Sequence, residues 1–277
     1  FSEDIDLTID HRDLHLTEDP LDVKLSIRTR KRLGEVIERC VEGLLERELV
    51  SPLRDRGAAL ADAMGPVTVV HSGDVIAVHY PEVLPGYTRY LRSEVKLEFG
   101  GRNVTDPSHQ LPVVTDLAAF FPQVTFPDAL VRVLALERTF WEKATLIHAE
   151  CNRHGLNQDK LSGARMARHW YDLAILADTP QGKTALGQRD LLNSVVAVKQ
   201  ALFYTQGADY PGCLTGDLRL VPAGAHHDVL ARDYGEMRQE GLLPEGAPRF
   251  AEVLARLSDL ERLINQAVTD TSSKNAD

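Results

Sequence analysis

The spacing of apolar residues changes along this chain and separates a part with strands from a part with helices. Residues 1–10 alternate apolar and polar side chains, which indicates a half-buried strand. Further short strands, bounded by turn residues, are predicted around 66–71, 74–79 and 87–99. Beyond Pro127 the apolar residues recur at helical spacing, which predicts helices over 128–152, 164–178, 189–203, 226–239 and 248–269.

A long amphipathic helix is predicted over residues 27–62, between the first strand and the others. The chain has 277 residues, 43% of them hydrophobic and 26% charged, which is enough for two modest domains with real cores. We therefore predict an α+β protein. It has an α/β domain over residues 1–115, a helical domain over 116–269 and a disordered tail over 270–277.

Composition argues against several classes of protein. The longest apolar runs, such as VTVV at 67–70, fall far short of the roughly 20 residues that span a bilayer, so no membrane partner is expected. No basic segment followed by an apolar one predicts a signal peptide. The three cysteines are widely spaced, which predicts reduced thiols and a cytoplasmic location: Cys40, Cys151 and Cys213.

The net charge of −10 argues against nonspecific binding of nucleic acid, because phosphate contacts need clustered lysine and arginine. A local basic patch is nevertheless present and allows a nucleic-acid partner. Its members are Lys24, Arg28, Arg30, Lys31 and Arg32.

Asp4 and Asp6 are the first residues whose pattern predicts chemistry. Carboxylates at positions i and i+2 of a strand project from the same face, a few ångströms apart. Their repulsion is relieved when a divalent cation bridges them. Many such pairs are only solvated strand edges, so a metal site and an exposed edge are both open at this point.

A second polar strand face is predicted in SEVKLEFG, residues 93–100, where Glu94, Lys96 and Glu98 alternate with apolar residues. If this strand neighbours the first, Glu98 supplies a third carboxylate. Three carboxylates on adjacent strands suit Mg²⁺ ions that clamp the phosphates of a nucleotide. An exposed charged face is the alternative.

Lys143 interrupts an apolar stripe in the helical segment ERTFWEKATLIH, which also contains Leu136, Phe140 and Ile147. A lysine at such a position either extends to the surface or directs its charge at a triphosphate. We favour the second interpretation.

RMARHWYDL, residues 165–173, places Arg165, Arg168 and Asp172 on one helical face, opposite a buried face that carries Trp170. An Arg–Asp pair here is either a structural clamp or a functional arrangement. In the functional arrangement Asp172 orients a base, a lysine or a metal-bound water.

Other common sites are not indicated. The spacing of His148, Cys151 and His154 could suggest zinc, but no fourth ligand stands at a supporting spacing. The sequence has no GxSxG, HExxH, P-loop or GxGxxG motif, which argues against most hydrolases, zincins and dinucleotide-binding proteins.

These segments, in this order, resemble the abortive-infection nucleotidyltransferase toxins of the AbiEii/AbiGii type, which include the MenT toxins. The shared pattern covers nearly the whole chain and runs through FSEDIDLTI, VKLEFGGR, ALERTFWEKATLIHAE, RMARHWYDL, DYGEM and LERLIN. The resemblance implies a polymerase-β-like nucleotidyltransferase domain with a mixed sheet and helices, followed by a mainly helical domain.

The resemblance also implies roles for individual residues. The metal-binding Asp-x-Asp falls on Asp4 and Asp6, and the Lys-x-acid motif falls on Lys96 and Glu98. The catalytic residues would be Asp4, Asp6, Lys143 and Asp172. Mg²⁺ would be held by Asp4, Asp6 and Glu98. The nucleotide would be bound by Ser2, Lys96, Lys143 and Arg168.

The activity implied is that of a type IV toxin, active in phage defence and neutralised by a separately encoded antitoxin, that transfers NMP from an NTP to a tRNA 3′ end. Transfer of a nucleotidyl or phosphoryl group to a protein hydroxyl, or a non-catalytic binding module, are the alternatives. Two departures are visible. Arg168-His169 stands where many members have Lys-Asp. The sequence begins at Phe1, without the Gly-Gly-Thr-x-Leu-Ser motif that precedes Asp-x-Asp in the family, so we expect it to be truncated there.

Overall fold

A computed structural model of the chain describes residues 4–22, 24–82, 93–156 and 165–274. The chain forms two compact units, Phe1–Thr105 with Ala201–Phe203, and Asp106–Gln200 with Tyr204–Asp277. A four-stranded mixed sheet, a second small sheet and many helices confirm the predicted α+β class. The proposed domain boundary at residue 115 stays a prediction, and the compact units divide between Thr105 and Asp106.

The first unit is built on the four-stranded sheet, whose strands are β1 (Asp4–Thr8), β2 (Thr68–Ser72), β3 (Val75–His79) and β4 (Glu94–Gly100). Their order is β1-β4-β3-β2, with β1 parallel to β4 and the other neighbours antiparallel. β1 is therefore an edge strand. This position explains why Ile5, on the apolar side of the strand, is 48% exposed.

The predicted helix over 27–62 is present as one helical path with a wider turn inside it. α1 (Ile27–Leu45) begins after Ser26, whose hydroxyl accepts the Thr29 N–H, and α2 (Ser51–Met64) follows a π-helical turn over Glu46–Val50. Pro52 lies in the first turn of α2. Because proline cannot donate to a carbonyl four residues earlier and clashes with it, a wider turn before Pro52 keeps the path helical.

One face of the sheet and α1 form the core of the first unit. Ile37 and Val41 of α1 are buried, as are Ile76 of β3 and Phe99 of β4. A Cβ atom on Gly101, just after β4, would come within 2.7 Å of Ile37 and closer still to Val41, so only glycine allows this approach. The apolar face of β4 is thus held against α1.

The second unit contains the small sheet of β5 (Ser108–Val113) and β6 (Ala129–Leu134), which are antiparallel. The rest is helical: α3 (Leu136–Leu156), α4 (Ala167–Ala177), α5 (Pro180–Leu186), α6 (Arg189–Leu202), α7 (Gly212–Thr215), α8 (Ala225–Gln239) and α9 (Phe250–Lys274). Its core contains both tryptophans. The indole N–H of Trp141 donates to the Ala185 carbonyl, and that of Trp170 donates to the Leu220 carbonyl.

Two boundaries predicted from the sequence are corrected. The helix predicted over 128–152 begins only at Leu136, because Ala129–Leu134 pairs with Ser108–Val113 as a strand. The valines of this segment, at every second position, fit a strand as well as a helix, and its pairing with Ser108–Val113 decides for the strand. The helix predicted over 248–269 ends at Lys274, since each residue added to a formed helix gains a hydrogen bond, and the disordered tail stays a prediction.

In the described part of the chain, no helix carries an apolar stretch long enough to cross a membrane.

Candidate functional site

Parallel pairing of β1 with β4 brings the two acidic motifs together. Asp6 stands opposite Glu98 in the register, and Asp4 stands opposite Lys96. Aligned residues of neighbouring strands share a face of the sheet, so Asp6 and Glu98 lie on the face opposite the one that carries Phe99. The condition on which a multi-carboxylate site depended, that the two strands be neighbours, is met.

The side chains on this face, which we call the acidic face, are accessible. Asp6 is exposed, and the side chains of Lys96 and Glu98 are 36% and 38% exposed and form an ion pair. Among the side chains that the structure describes, no group of three or more His, Cys, Asp and Glu is arranged to hold a metal ion. The side chain of Asp4 and the whole of Ser2 lie outside the described residues.

Asp10, which the sequence did not single out, fixes the chain just after β1. Its buried carboxylate accepts hydrogen bonds from the Arg12 side chain at 2.5 and 2.8 Å and from the Arg12 N–H at 3.0 Å. It also accepts from the N–H and hydroxyl of Thr105, at 3.0 and 3.1 Å. Burial opposes ionisation, but these bonds outweigh it and hold the pKa of Asp10 well below its usual range. Asp10 is thus an ionised, buried carboxylate that connects the end of β1 with Thr105, which follows β4.

The second unit brings Lys143 and Asp172 together. Nζ of Lys143, on α3, donates to Oδ2 of Asp172, on α4, at 2.8 Å. The lysine side chain is 23% exposed and the aspartate side chain 43%. Lys143 is therefore accessible and held in place by a carboxylate. Leu136, which the sequence predicts on the same apolar stripe, is 45% exposed in the first turn of α3.

The charge pairing around Asp172 differs from the pairing expected within one helix. Asp172 bonds to Lys143 of the neighbouring helix, and Arg168 is exposed. Arg165 precedes α4 and has a φ of 76°, so it does not continue the helical face of Arg168 and Asp172.

His169 is a partly buried residue beside this pair, at the position where the sequence departs from the family pattern. Burial, and then the positive charges of Lys143 and Arg168, lower the pKa of His169 to about 4. The imidazole is therefore neutral near pH 7. Its Nδ1 is buried and has no hydrogen-bond partner among the described residues.

Asp233, in the DYGEM segment, holds the beginning of α4. Its buried carboxylate accepts the N–H of Arg165 at 2.6 Å and the N–H of Ala167 at 2.7 Å. These are donors that a helix start leaves without partners, and the bond to Arg165 also fixes its left-handed backbone conformation. Asp233 therefore positions the helix that carries Asp172.

We expect Asp233→Ala to lower the free energy of unfolding of the second unit by about 2–4 kcal/mol, because two buried N–H groups lose their acceptor. Urea titration followed by tryptophan fluorescence measures this unit alone, since the chain has two tryptophans and both lie in its core. Asp228→Ala, at a 77% exposed position on the same helix, is the control. Equal midpoints for the two variants would contradict this role of Asp233.

Two further buried networks support α3. Glu142 accepts a hydrogen bond from Arg138 at 3.0 Å and forms an ion pair with Lys199 of α6, with 2.5 Å between the lysine Nζ and the carboxylate. His148 accepts the Arg219 N–H at Nδ1, so its Nε2 donates to the Asp209 carbonyl at 2.7 Å. Both nitrogens of His148 are therefore engaged within the protein, and burial lowers its pKa.

The LERLIN segment also has a structural role. Glu261 accepts the N–H groups of Leu220 and Val221, and the Asn265 amide exchanges two 3.0 Å hydrogen bonds with the backbone of Leu218. The same Leu220 carbonyl receives the indole N–H of Trp170. α9 thereby supports α4 through this backbone segment.

A mixed sheet with an acidic face, and a helical unit with an accessible lysine held by aspartate, define an α+β protein with groups suited to phosphate chemistry. The sequence profile of one family matches residues 1–256 of the chain, and this family is described as nucleotidyl transferase AbiEii toxin, type IV TA system. The chain belongs to this family. It is therefore a nucleotidyltransferase and the toxin of a type IV toxin–antitoxin system. No curated protein and no solved structure matches it significantly.

Proposed function

We propose that this toxin transfers NMP from an NTP to the 3′-hydroxyl of an RNA acceptor, tRNA in the first instance, in a reaction that depends on Mg²⁺. The observation that carries the proposal is the parallel register that sets Asp6 opposite Glu98. Two carboxylates on adjacent strands supply the oxygen ligands that a hard divalent cation takes.

In this reaction the 3′-hydroxyl oxygen forms a bond to the α-phosphorus and the bond from that phosphorus to the bridging oxygen of the β-phosphate breaks. Pyrophosphate leaves, and the hydroxyl proton is released to solvent. Asp6 and Glu98, together with Asp4, would hold Mg²⁺, which when bound neutralises phosphate charge and lowers the pKa of the attacking hydroxyl. Lys96, two residues before Glu98, and Ser2, two residues before Asp4, would bind the nucleotide.

Lys143 would neutralise charge on the triphosphate, and Asp172 would keep the lysine amine in position. Arg168 is exposed on the same helix as Asp172 and would add a second positive charge for the nucleotide. His169 is neutral near pH 7, so it does not compete with these cations for phosphate.

An RNA acceptor is supported by the basic patch at the start of α1. Arg28, Lys31 and Arg32 line a pocket of about 660 Å³, which Glu18 and Glu35 also line. Arg32 is paired with Glu18 at 2.8 Å, while Arg28 and Lys31 are exposed on the same helical face. Such a cluster suits contacts with a phosphate backbone even though the whole chain is acidic.

The test is to incubate the full-length protein with tRNA and NTP labelled on either the α- or the γ-phosphate. We expect the α-label on RNA and the γ-label in pyrophosphate. tRNA whose 3′-terminal ribose has been oxidised by periodate is the matched control and should take up no label. Label on a protein would contradict the RNA acceptor, and γ-label on any acceptor would contradict nucleotidyl transfer.

Removal of divalent metal with EDTA should lower transfer by at least about 10²-fold, and added Mg²⁺ should restore it, because transfer would lose the charge neutralisation that the ion supplies. The initial rate of α-label incorporation measures this. A rate unchanged by EDTA would contradict metal dependence.

A further inference from the structure

The ribbon of β5 and β6, together with residues 114–128 that join the strands, exposes a large apolar surface. Both faces of the ribbon contribute, since Leu111 and Val113 lie on one face and Leu130 on the other. A two-stranded ribbon open on both faces has little stability in water by itself. The exposed fractions are Leu111 47%, Val113 51%, Val114 61%, Leu117 54%, Phe120 76%, Phe121 46%, Val124 48% and Leu130 70%.

The summed exposed area of these side chains, over both faces of the ribbon and the joining segment, is comparable with one partner's share of a protein interface. With about 150–250 Å² for a whole aromatic side chain and somewhat less for an aliphatic one, these fractions leave on the order of 800 Å² exposed. One partner in a stable complex contributes about 800 Å².

The hydrogen bonds of the ribbon show which backbone groups point outward. The Ala135 N–H donates to the Pro107 carbonyl, next to the pair Ser108 and Leu134. Because hydrogen-bonded and non-hydrogen-bonded pairs alternate in an antiparallel ladder, Leu111 and Val131 form a bonded pair. The outward-pointing groups therefore belong to Ser108, Gln110 and Pro112 on β5 and to Leu130, Arg132 and Leu134 on β6.

Among the described residues neither outer edge of the ribbon pairs with another strand, and the two edges differ in their donors. Pro112 has no N–H, so the outward row of β5 lacks a donor near one end, which is a common protection of an edge strand. The outward row of β6 keeps all three of its N–H groups. The β6 edge is the one that can accept another strand along its full length.

The charge of this region favours a copy of the same chain as the partner. Residues 108–134 carry three charged side chains, Asp116, Asp128 and Arg132, whereas the chain as a whole carries −10. Two copies therefore meet little charge repulsion at this region. A partner that carries phosphates would meet only one positively charged side chain in this segment, that of Arg132.

We propose that two copies of this chain associate by antiparallel pairing of their β6 strands across a two-fold axis, forming a four-stranded sheet. Such an interface is self-complementary, because the same edge serves both copies. The exposed residues of the joining segments add the apolar area. This dimer does not depend on the proposed RNA acceptor.

The test compares two proline substitutions at opposite positions of the ribbon. Arg132→Pro removes an outward N–H from β6, and Gln110→Pro removes one from β5, and neither breaks a bond of the β5–β6 ladder. Arg132→Gln controls for the lost charge. Sedimentation velocity of the full chain, from about 1 to 100 µM, gives the dimer dissociation constant.

We expect the wild type, Gln110→Pro and Arg132→Gln to sediment at twice the 30.7 kDa chain mass. Arg132→Pro should weaken the dimer at least about tenfold. Leu130→Lys, at a 70% exposed position, should weaken the dimer comparably. It should leave the tertiary structure of the chain unaltered, which tryptophan fluorescence checks. A wild type that stays monomeric, or a dimer equally stable in all four variants, would overturn the proposal.

Discussion

Asp6→Asn in the full-length protein is expected to reduce nucleotide transfer by about 10³-fold or more. Asparagine has nearly the shape of aspartate but no negative charge, so it is a poor ligand for a hard divalent cation. Asp6 is exposed on an edge strand, and its register opposite Glu98 is a property of the backbone. The substitution should therefore leave the sheet unchanged, and the loss should fall on the reaction.

The measurement for Asp6 is the initial rate of α-label incorporation at saturating NTP, with Mg²⁺ varied. Asp13→Asn is the matched control, because it removes the charge of another exposed aspartate in the same unit. We expect Asp13→Asn to retain the wild-type rate. A rate for Asp6→Asn within a few-fold of Asp13→Asn would show that Asp6 does not hold the metal.

Glu98→Gln is expected to lower transfer as well, but its effect has two sources. The glutamine loses charge at the metal site and also loses the ion pair with Lys96. Asp6→Asn is thus the cleaner substitution.

The strands of the acidic face could be predicted from local alternation, because a period of two residues is visible in a single segment. Their pairing could not. Asp6 and Glu98 are more than ninety residues apart, and nothing in either segment specifies a parallel neighbour. From the sequence, a site with several carboxylates follows only if the two strands are neighbours. The structure shows that they are.

The helical unit shows the same limit. In the sequence Lys143 interrupts an apolar face and Asp172 borders one, yet their bond joins two helices, and only the packing of α3 on α4 creates it. Asp10 and Asp233 are not indicated individually by the sequence, and His169 stands out there only as a departure from the family pattern. Their importance comes from burial and from backbone donors distant in sequence, such as Thr105 and Arg165. Resemblance marked DYGEM as a segment, but not its carboxylate as a cap.

The strand Ala129–Leu134 is not predicted from the sequence for a different reason. Its apolar residues precede a true helix without a clear stop signal, so the helical pattern extends through it. Six residues do not distinguish a buried helix end from a strand, and the sequence does not predict the strand that pairs with them, Ser108–Val113.

Lys143→Met is expected to reduce transfer by about 10²- to 10³-fold, since one positioned positive charge on a triphosphate contributes about this much to transfer. Methionine keeps most of the length of the lysine and can pack among the apolar neighbours of α3. A partly exposed ion pair contributes only about 0–1 kcal/mol to stability, so the fold should persist. Lys183→Met, at an exposed position on α5, is the matched control and should transfer normally.

Asp172→Asn should have a smaller effect, about tenfold, because in our proposal it acts only by holding the lysine amine. The double variant with Lys143→Met and Asp172→Asn should then be no slower than Lys143→Met alone. Once the lysine is gone, Asp172 has no amine to hold in position. Asp172→Glu should recover part of the rate. If the two losses multiply, Asp172 contacts the substrate or the metal itself, and its bond to Lys143 is not the reason that the reaction needs it.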